Sequence, residues 1–203
     1  MRTELLQPAG GGPPAAAAPR LPLNRRVRTL LLGFLCTAGW LTAAVIGHHV
    51  DFGPELHRIG LAVHVLALVL SFGAILVIDW IGFLWLLGKR EIHESGRLES
   101  AAKPLIWGGL SLLLISGAFI HPDLGNPVTL VKLACVLVLM LNGLSIGPAM
   151  HQLLALPPQT RFGEVARRLR NRLLMALSVS QVCWWTAVLI GLVNSTLRRW
   201  VGA

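Results

Sequence analysis

Residues 58–90, RIGLAVHVLALVLSFGAILVIDWIGFLWLLGKR, form an apolar run of about thirty residues with charge at both ends and only two ionisable groups inside, His64 and Asp79. At about 1.5 Å per residue a helix of that length reaches roughly 45 Å, more than the roughly 30 Å hydrocarbon core of a bilayer. It is expected to cross a membrane with tilt, or with one end projecting. An imidazole or a carboxyl inside the membrane costs free energy unless something pairs with it or coordinates it. With about 100° per residue, Gly60, His64, Ser71 and Gly82 share a narrow stripe, and Asp79 lies about 60° to one side. A small, polar stripe on a Leu/Val/Ile helix is expected to meet other helices or a cofactor. If the hydrocarbon begins at Ile59, His64 lies about 8 Å deep and Asp79 reaches the far headgroups. A helix shifted inward makes His64 interfacial and buries Asp79.

The rest of the chain has the same character. Of the 203 residues 54% are hydrophobic and 13% charged, where a soluble domain has about a quarter charged. The expected fold class is an all-α transmembrane bundle of five helices, spanning about 29–48, 59–88, 104–121, 127–150 and 173–194. Residues 1–26, with the Gly/Pro/Ala stretch AGGGPPAAAAPRLPL, are expected to form a disordered cytoplasmic segment, and 198–203 a C-terminal tail. The first span follows a basic flank and includes Thr42-Ala43-Ala44, which would pass as a signal-peptide cleavage site. A retained helix is the preferred reading, because Trp40, His48 and His49 near its exit suit a membrane interface.

Charge sets the expected orientation. Of the eighteen Lys and Arg, all but Arg58, Lys132, Arg198 and Arg199 fall on one side of the five spans. By the positive-inside rule the N-terminus is cytoplasmic and the C-terminus outside, in a bacterial cytoplasmic membrane. The basic stretch Arg161–Arg172 reads first as a topology determinant and second as a helix on the anionic leaflet. The net charge of +9 does not point to nucleic acid, since no basic stripe is interleaved with stacking aromatics. Cys36, Cys135 and Cys183 stand in apolar runs without metal-ligand spacing and read as packing residues.

On the expected outer side, His48, His49, Asp51, Glu55 and His57 share one loop, and His121 and Asp123 another. Imidazoles and carboxylates suit copper, zinc, nickel or iron, with His48, His49, His57 and Asp51 as candidate metal ligands, although no strict ligand spacing is present. Imidazole also ligates haem iron. A haem between helices needs two axial histidines at similar depth; His64 with His121 is the best pair, and His48 or His49 could replace His121. Lys132, about one turn into its span, suits a propionate, Asp123 or a lipid phosphate. Asp79, Asn142 and Gln181 are the other intramembrane polar groups, Gln181 sharing a face with Ser178 and Trp185. Asp79 is either a buried relay carboxylate or an interfacial acid beside Lys89 and Arg90. Glu91, His93, Glu94 and His151 read as solvated. No nucleotide-binding loop, hydrolase triad or paired glycosidase carboxylates occur, and no catalytic residue is assigned.

The segment HVLALVLSFGAILVIDWIGFLWLL, led by His64, with ISG at 115–117 and VKLACVLVLMLNG at 131–143, resembles bacterial CopD-like and cytochrome-b561-like membrane proteins over residues 58–150. The resemblance implies either electron transfer through b-type haem or copper handling on the outer face. Carried over by position, it makes His64 a ligand and leaves the second open. The Met-rich strings of copper carriers are absent, Met1, Met140, Met150 and Met175 standing alone. Three functions follow as expectations. One is a small haem b electron-transfer protein working with a quinone or a redox partner protein. Another is a transporter or binding protein for copper or a similar metal. The last is a non-catalytic subunit or scaffold in a homo-oligomer or membrane complex.

Overall fold

The computed structural model describes residues 24–201, and these form five α-helices, with no strand among the described residues. The expected disordered segment 1–26 lies almost wholly outside them. Helix α1 runs Arg25–His49, α2 Gly53–Leu86, α3 Ile92–Ala118, α4 Pro127–Leu154 and α5 Arg167–Val201. All five are long and apolar enough to cross a membrane. Large apolar side chains point outward along the bundle, among them Leu30, Phe34, Leu66, Val69 and Val182. Only a lipid environment accommodates such a surface together with fully hydrogen-bonded helices. The chain is a multi-pass membrane protein.

Local chemistry sets the ends. Asn24 caps α1 by accepting from the Arg26 amide; Asn126 does the same for α4 from the Val128 amide at 2.9 Å, with Pro127 following in the first turn. Asp51 accepts from the Gly53 amide at 2.9 Å and so shapes the short turn into α2. At the far end of α2, Gly88 takes a left-handed φ of 69°. There the Gly88 and Lys89 amides return to the Trp85 and Leu84 carbonyls, the paired closure that a glycine past a helix end permits.

Helix α3 starts at Ile92, ahead of the span expected from Pro104, and carries that proline inside it. Polar residues 93–103 gave no apolar signal, yet tertiary packing makes them helical. Ile92 is fully buried, and Gly96 lets Leu154 of α4 approach so closely that a Cβ there would meet its side chain at 2.2 Å. Likewise α5 begins within the basic stretch, at Arg167, after a 3-10 turn over Phe162–Glu164. Arg172 donates to the Ser145 carbonyl at 2.8 Å. Arg170 lies over the Phe162 ring.

Successive helices alternate in direction, so the bundle has a histidine end, with the turns after α1 and α3, and an arginine end, with those after α2 and α4. The most extensive packing joins α2 to α3 and α4 to α5, and α1 lies against both α3 and α4. Helices α2 and α5 are not among the closely packed pairs. One core, at mid-bundle, gathers Ala67, Leu110, Leu113, Leu139, Met140, Cys183 and Trp184, with Cys36 and Cys135 against it. The cysteines are packing residues, all free thiols. A second core, at the arginine end, gathers Trp85, Ile92, Leu153 and Val165. Trp40, expected at an interface, instead reaches inward and donates to the Leu133 carbonyl of α4 at 2.9 Å, since an indole N–H within a bundle needs an acceptor.

Candidate functional site

The polar stripe of α2 meets α3. A Cβ on Gly60 would lie 2.6 Å from the Phe119 Cβ, and one on Gly109 of α3 would lie 2.5 Å from the Ser71 Cβ. Between these contacts, His64 Nδ1 is 3.1 Å from Ser116 Oγ. Ser116 spends its one proton on the Leu112 carbonyl, so its oxygen accepts from His64 Nδ1–H. That assignment leaves the lone pair on His64 Nε2. Lys132 of α4 stands near enough to interact electrostatically with His64.

At the histidine end, three imidazoles do assemble. His48 and His121 stack with centroids 6.5 Å apart, and His49 meets His48 edge-on at 4.9 Å. His48 Nδ1 is within 3.3 Å of the Pro122 carbonyl and therefore donates to it. His121 is the one described non-glycine residue with a left-handed backbone, φ 56°. The carboxylates nearby serve turns: Asp51 holds Gly53, and Asp123 accepts from the Gly125 amide at 2.9 Å. Glu55 pairs with Arg58 in the open, at 3.5 Å. His48, His49, His57 and Asp51 do not close around a point. Among the described residues, no group of three or more His, Cys, Asp or Glu is placed to hold a metal ion.

A haem slot between helices near His64 would need separated backbones. At this level a Cβ on Gly47 of α1 would meet the Ala118 backbone at 2.7 Å, and Gly60 is as close to Phe119. His64 therefore stands beside a close α2–α3 contact, and α1 meets the end of α3 as closely.

Space lies elsewhere. A cavity of about 230 Å³ opens in the arginine half between α2, α3, α4 and α5, with no histidine in its lining. Its roof is the mid-bundle core at Leu110, Leu139 and Trp184. Its floor is Trp85, Leu153 and Phe162. The Trp85 indole donates to the Thr160 carbonyl at 3.2 Å and stands edge-on to Phe162, which fixes the floor. Gly82 of α2 and Gly147 of α4 both line the cavity, and a Cβ on either would meet nothing within 4 Å.

The polar groups of the wall are few. Asp79 of α2 and Ser180 of α5 are two of them; Gln181 of α5, outside the lining, donates its amide N–H to Asp79. It accepts at Oε1 from the Trp185 indole at 3.1 Å. An indole only donates and a carboxylate only accepts, so the two neighbours settle which way the amide points. Asp79 is therefore tied to α5 rather than to the basic turn; Arg90 pairs instead with Glu94 at 3.3 Å. Asn142 of α4 donates to the Ala176 carbonyl of α5 at 2.8 Å. Glu99, Lys103 and Trp107 complete the wall from α3. Glu99 and Lys103 escaped the sequence reading because that stretch carries no apolar pattern. Their spacing of four residues, continued by Trp107 four further on, was the available sign of a shared helix face.

No protein-family model matches this chain, and neither a curated protein nor a solved structure shows significant similarity to it.

Proposed function

We propose that this multi-pass membrane protein binds a lipid-soluble ligand in the cavity of its arginine half. One observation carries the reading: a cavity of about 230 Å³, walled by four helices, that combines aromatic and aliphatic lining with a few convergent polar groups, the general make-up of small-molecule sites. Two open glycines on facing helices support it. A Cβ at Gly82 or Gly147 would meet nothing within 4 Å. The concentration of arginine at this end favours a cytoplasmic orientation for it, so the ligand would enter from that leaflet of the bilayer. No side-chain constellation in the wall supports a chemical step, and the role is binding or translocation rather than turnover.

The test uses N-phenyl-1-naphthylamine, a neutral probe whose emission rises in apolar surroundings, with detergent-purified protein. Wild type should raise its emission saturably, and Gly82→Leu should weaken binding at least about tenfold, the loss of one or two buried contacts per added group. Equal binding by both proteins removes this reading. The redox alternative keeps a direct check, because His64 carries its lone pair on Nε2. A haem b band in the reduced-minus-oxidised spectrum, lost in His64→Ala, would put the function at His64 instead.

A further inference from the structure

We infer that the ligand taken by this cavity is a compact hydrophobic cation, such as an aromatic or quaternary ammonium compound; the inference rests on the cavity being the binding site. Two carboxyls stand in its wall, Asp79 on α2 and Glu99 on α3, against a single cation, Lys103. Lys103 lies one helical turn from Glu99 on the same helix, where such pairs interact. That leaves Asp79 with no countercharge. Neither ion pair among the described residues includes it. Its one hydrogen bond there comes from the Gln181 amide, at Oδ2, and Oδ1 takes none.

A carboxylate held by one neutral donor inside a membrane bundle lacks the compensation that buried charge requires. The Trp185 indole donates to the Gln181 oxygen, which turns the amide N–H towards Asp79. A cationic ligand would bring the charge partner that Asp79 does not have within the protein. The rest of the lining states what kind of cation it is. Trp85, Trp107, Trp184 and Phe162 all border the space, and aromatic faces attract weakly hydrated organic cations far better than they attract small ions that keep their water. A neutral hydrogen-bonding molecule would satisfy the apolar lining and leave the carboxylate without its charge partner.

The experiment compares phenyltrimethylammonium with tert-butylbenzene, which has the same shape and no charge, as displacers of N-phenyl-1-naphthylamine from the full-length purified protein. The cation is expected to displace the probe at roughly 10- to 100-fold lower concentration. Asp79→Asn, which keeps an acceptor for Gln181, should abolish that preference while the probe itself still binds. Equal displacement by the two compounds, or displacement by neither, overturns the cation inference. So does a preference that survives in Asp79→Asn. Probe binding that is insensitive to Gly82→Leu defeats the cavity reading instead, so the two failures are told apart within one data set.

Discussion

Two pairs of glycines, one in each half of this bundle, serve opposite ends. At the histidine end, Gly47 and Gly60 are filled against: a Cβ would lie 2.7 Å from Ala118 at the first and 2.6 Å from Phe119, just past α3, at the second. In the arginine half, Gly82 and Gly147 face open space. The same residue brings backbones together in one place and keeps a chamber empty in the other. Small residues in membrane helices are usually taken as contact sites, and Gly47, Gly60 and, at the arginine end, Gly96 obey that rule. Gly82 and Gly147 show that absence of a side chain can itself be the wall of a site.

Substitution should separate the halves. The largest effect is expected from Gly47→Leu, whose Cβ meets the Ala118 backbone and cannot be relieved by a rotamer change; destabilisation of about 1–3 kcal/mol would appear as a lowered unfolding midpoint in detergent. An unchanged midpoint would mean that the histidine end is not tightly packed. Ser116→Ala removes the acceptor that orients His64 and is expected to cost about 1 kcal/mol. It should also release the imidazole from the Nδ1–H form, which nitrogen NMR of labelled histidine reads directly. For Gly82→Ala the sign reverses: the added methyl improves helix propensity without a clash, so stability should rise by about 0.5–1 kcal/mol. A loss of stability there would show the chamber to be smaller than described. The smallest effect belongs to Asn142→Leu, which deletes one interhelical bond to Ala176, worth about 0.6 kcal/mol within a bilayer.

The five helices were legible because uninterrupted apolar runs have few physical alternatives in a chain with so little charge. The start of α3 was not, since Ile92, Gly96 and Glu99 become helical through contacts with α4 and the arginine-end core rather than through their own pattern. The stripe on α2 was readable as a contact face, but its partner was not. Periodicity says which residues share a side and not which helix they meet. Asp79 and Gln181 were each conspicuous as polar groups in apolar helices; that they bond each other depends on how α2 and α5 face across the bundle. The cavity left no trace in composition, because a void is a property of four helices at once. The histidines drew attention as ligand types; their hydrogen bonds through Nδ1, His64 to Ser116 and His48 to Pro122, needed the fold to be seen.

The arrangement of close packing has a mechanical consequence. Helices α2 and α3 form one tightly joined leaf, α4 and α5 another, and α1 runs along both like the spine of a book. Across the open edge the leaves hold each other by the Asp79–Gln181 bond, the Phe72 contacts with Trp184 and Trp185, and the Trp85–Thr160 bond. The leaves also meet where α3 packs on α4, and they share both cores, so the α2–α5 edge differs in being closed by side chains alone. Along that edge the width of the chamber is set by side chains, and spin labels on the exposed faces of α2 and α5 would report a change in it when the chamber is filled.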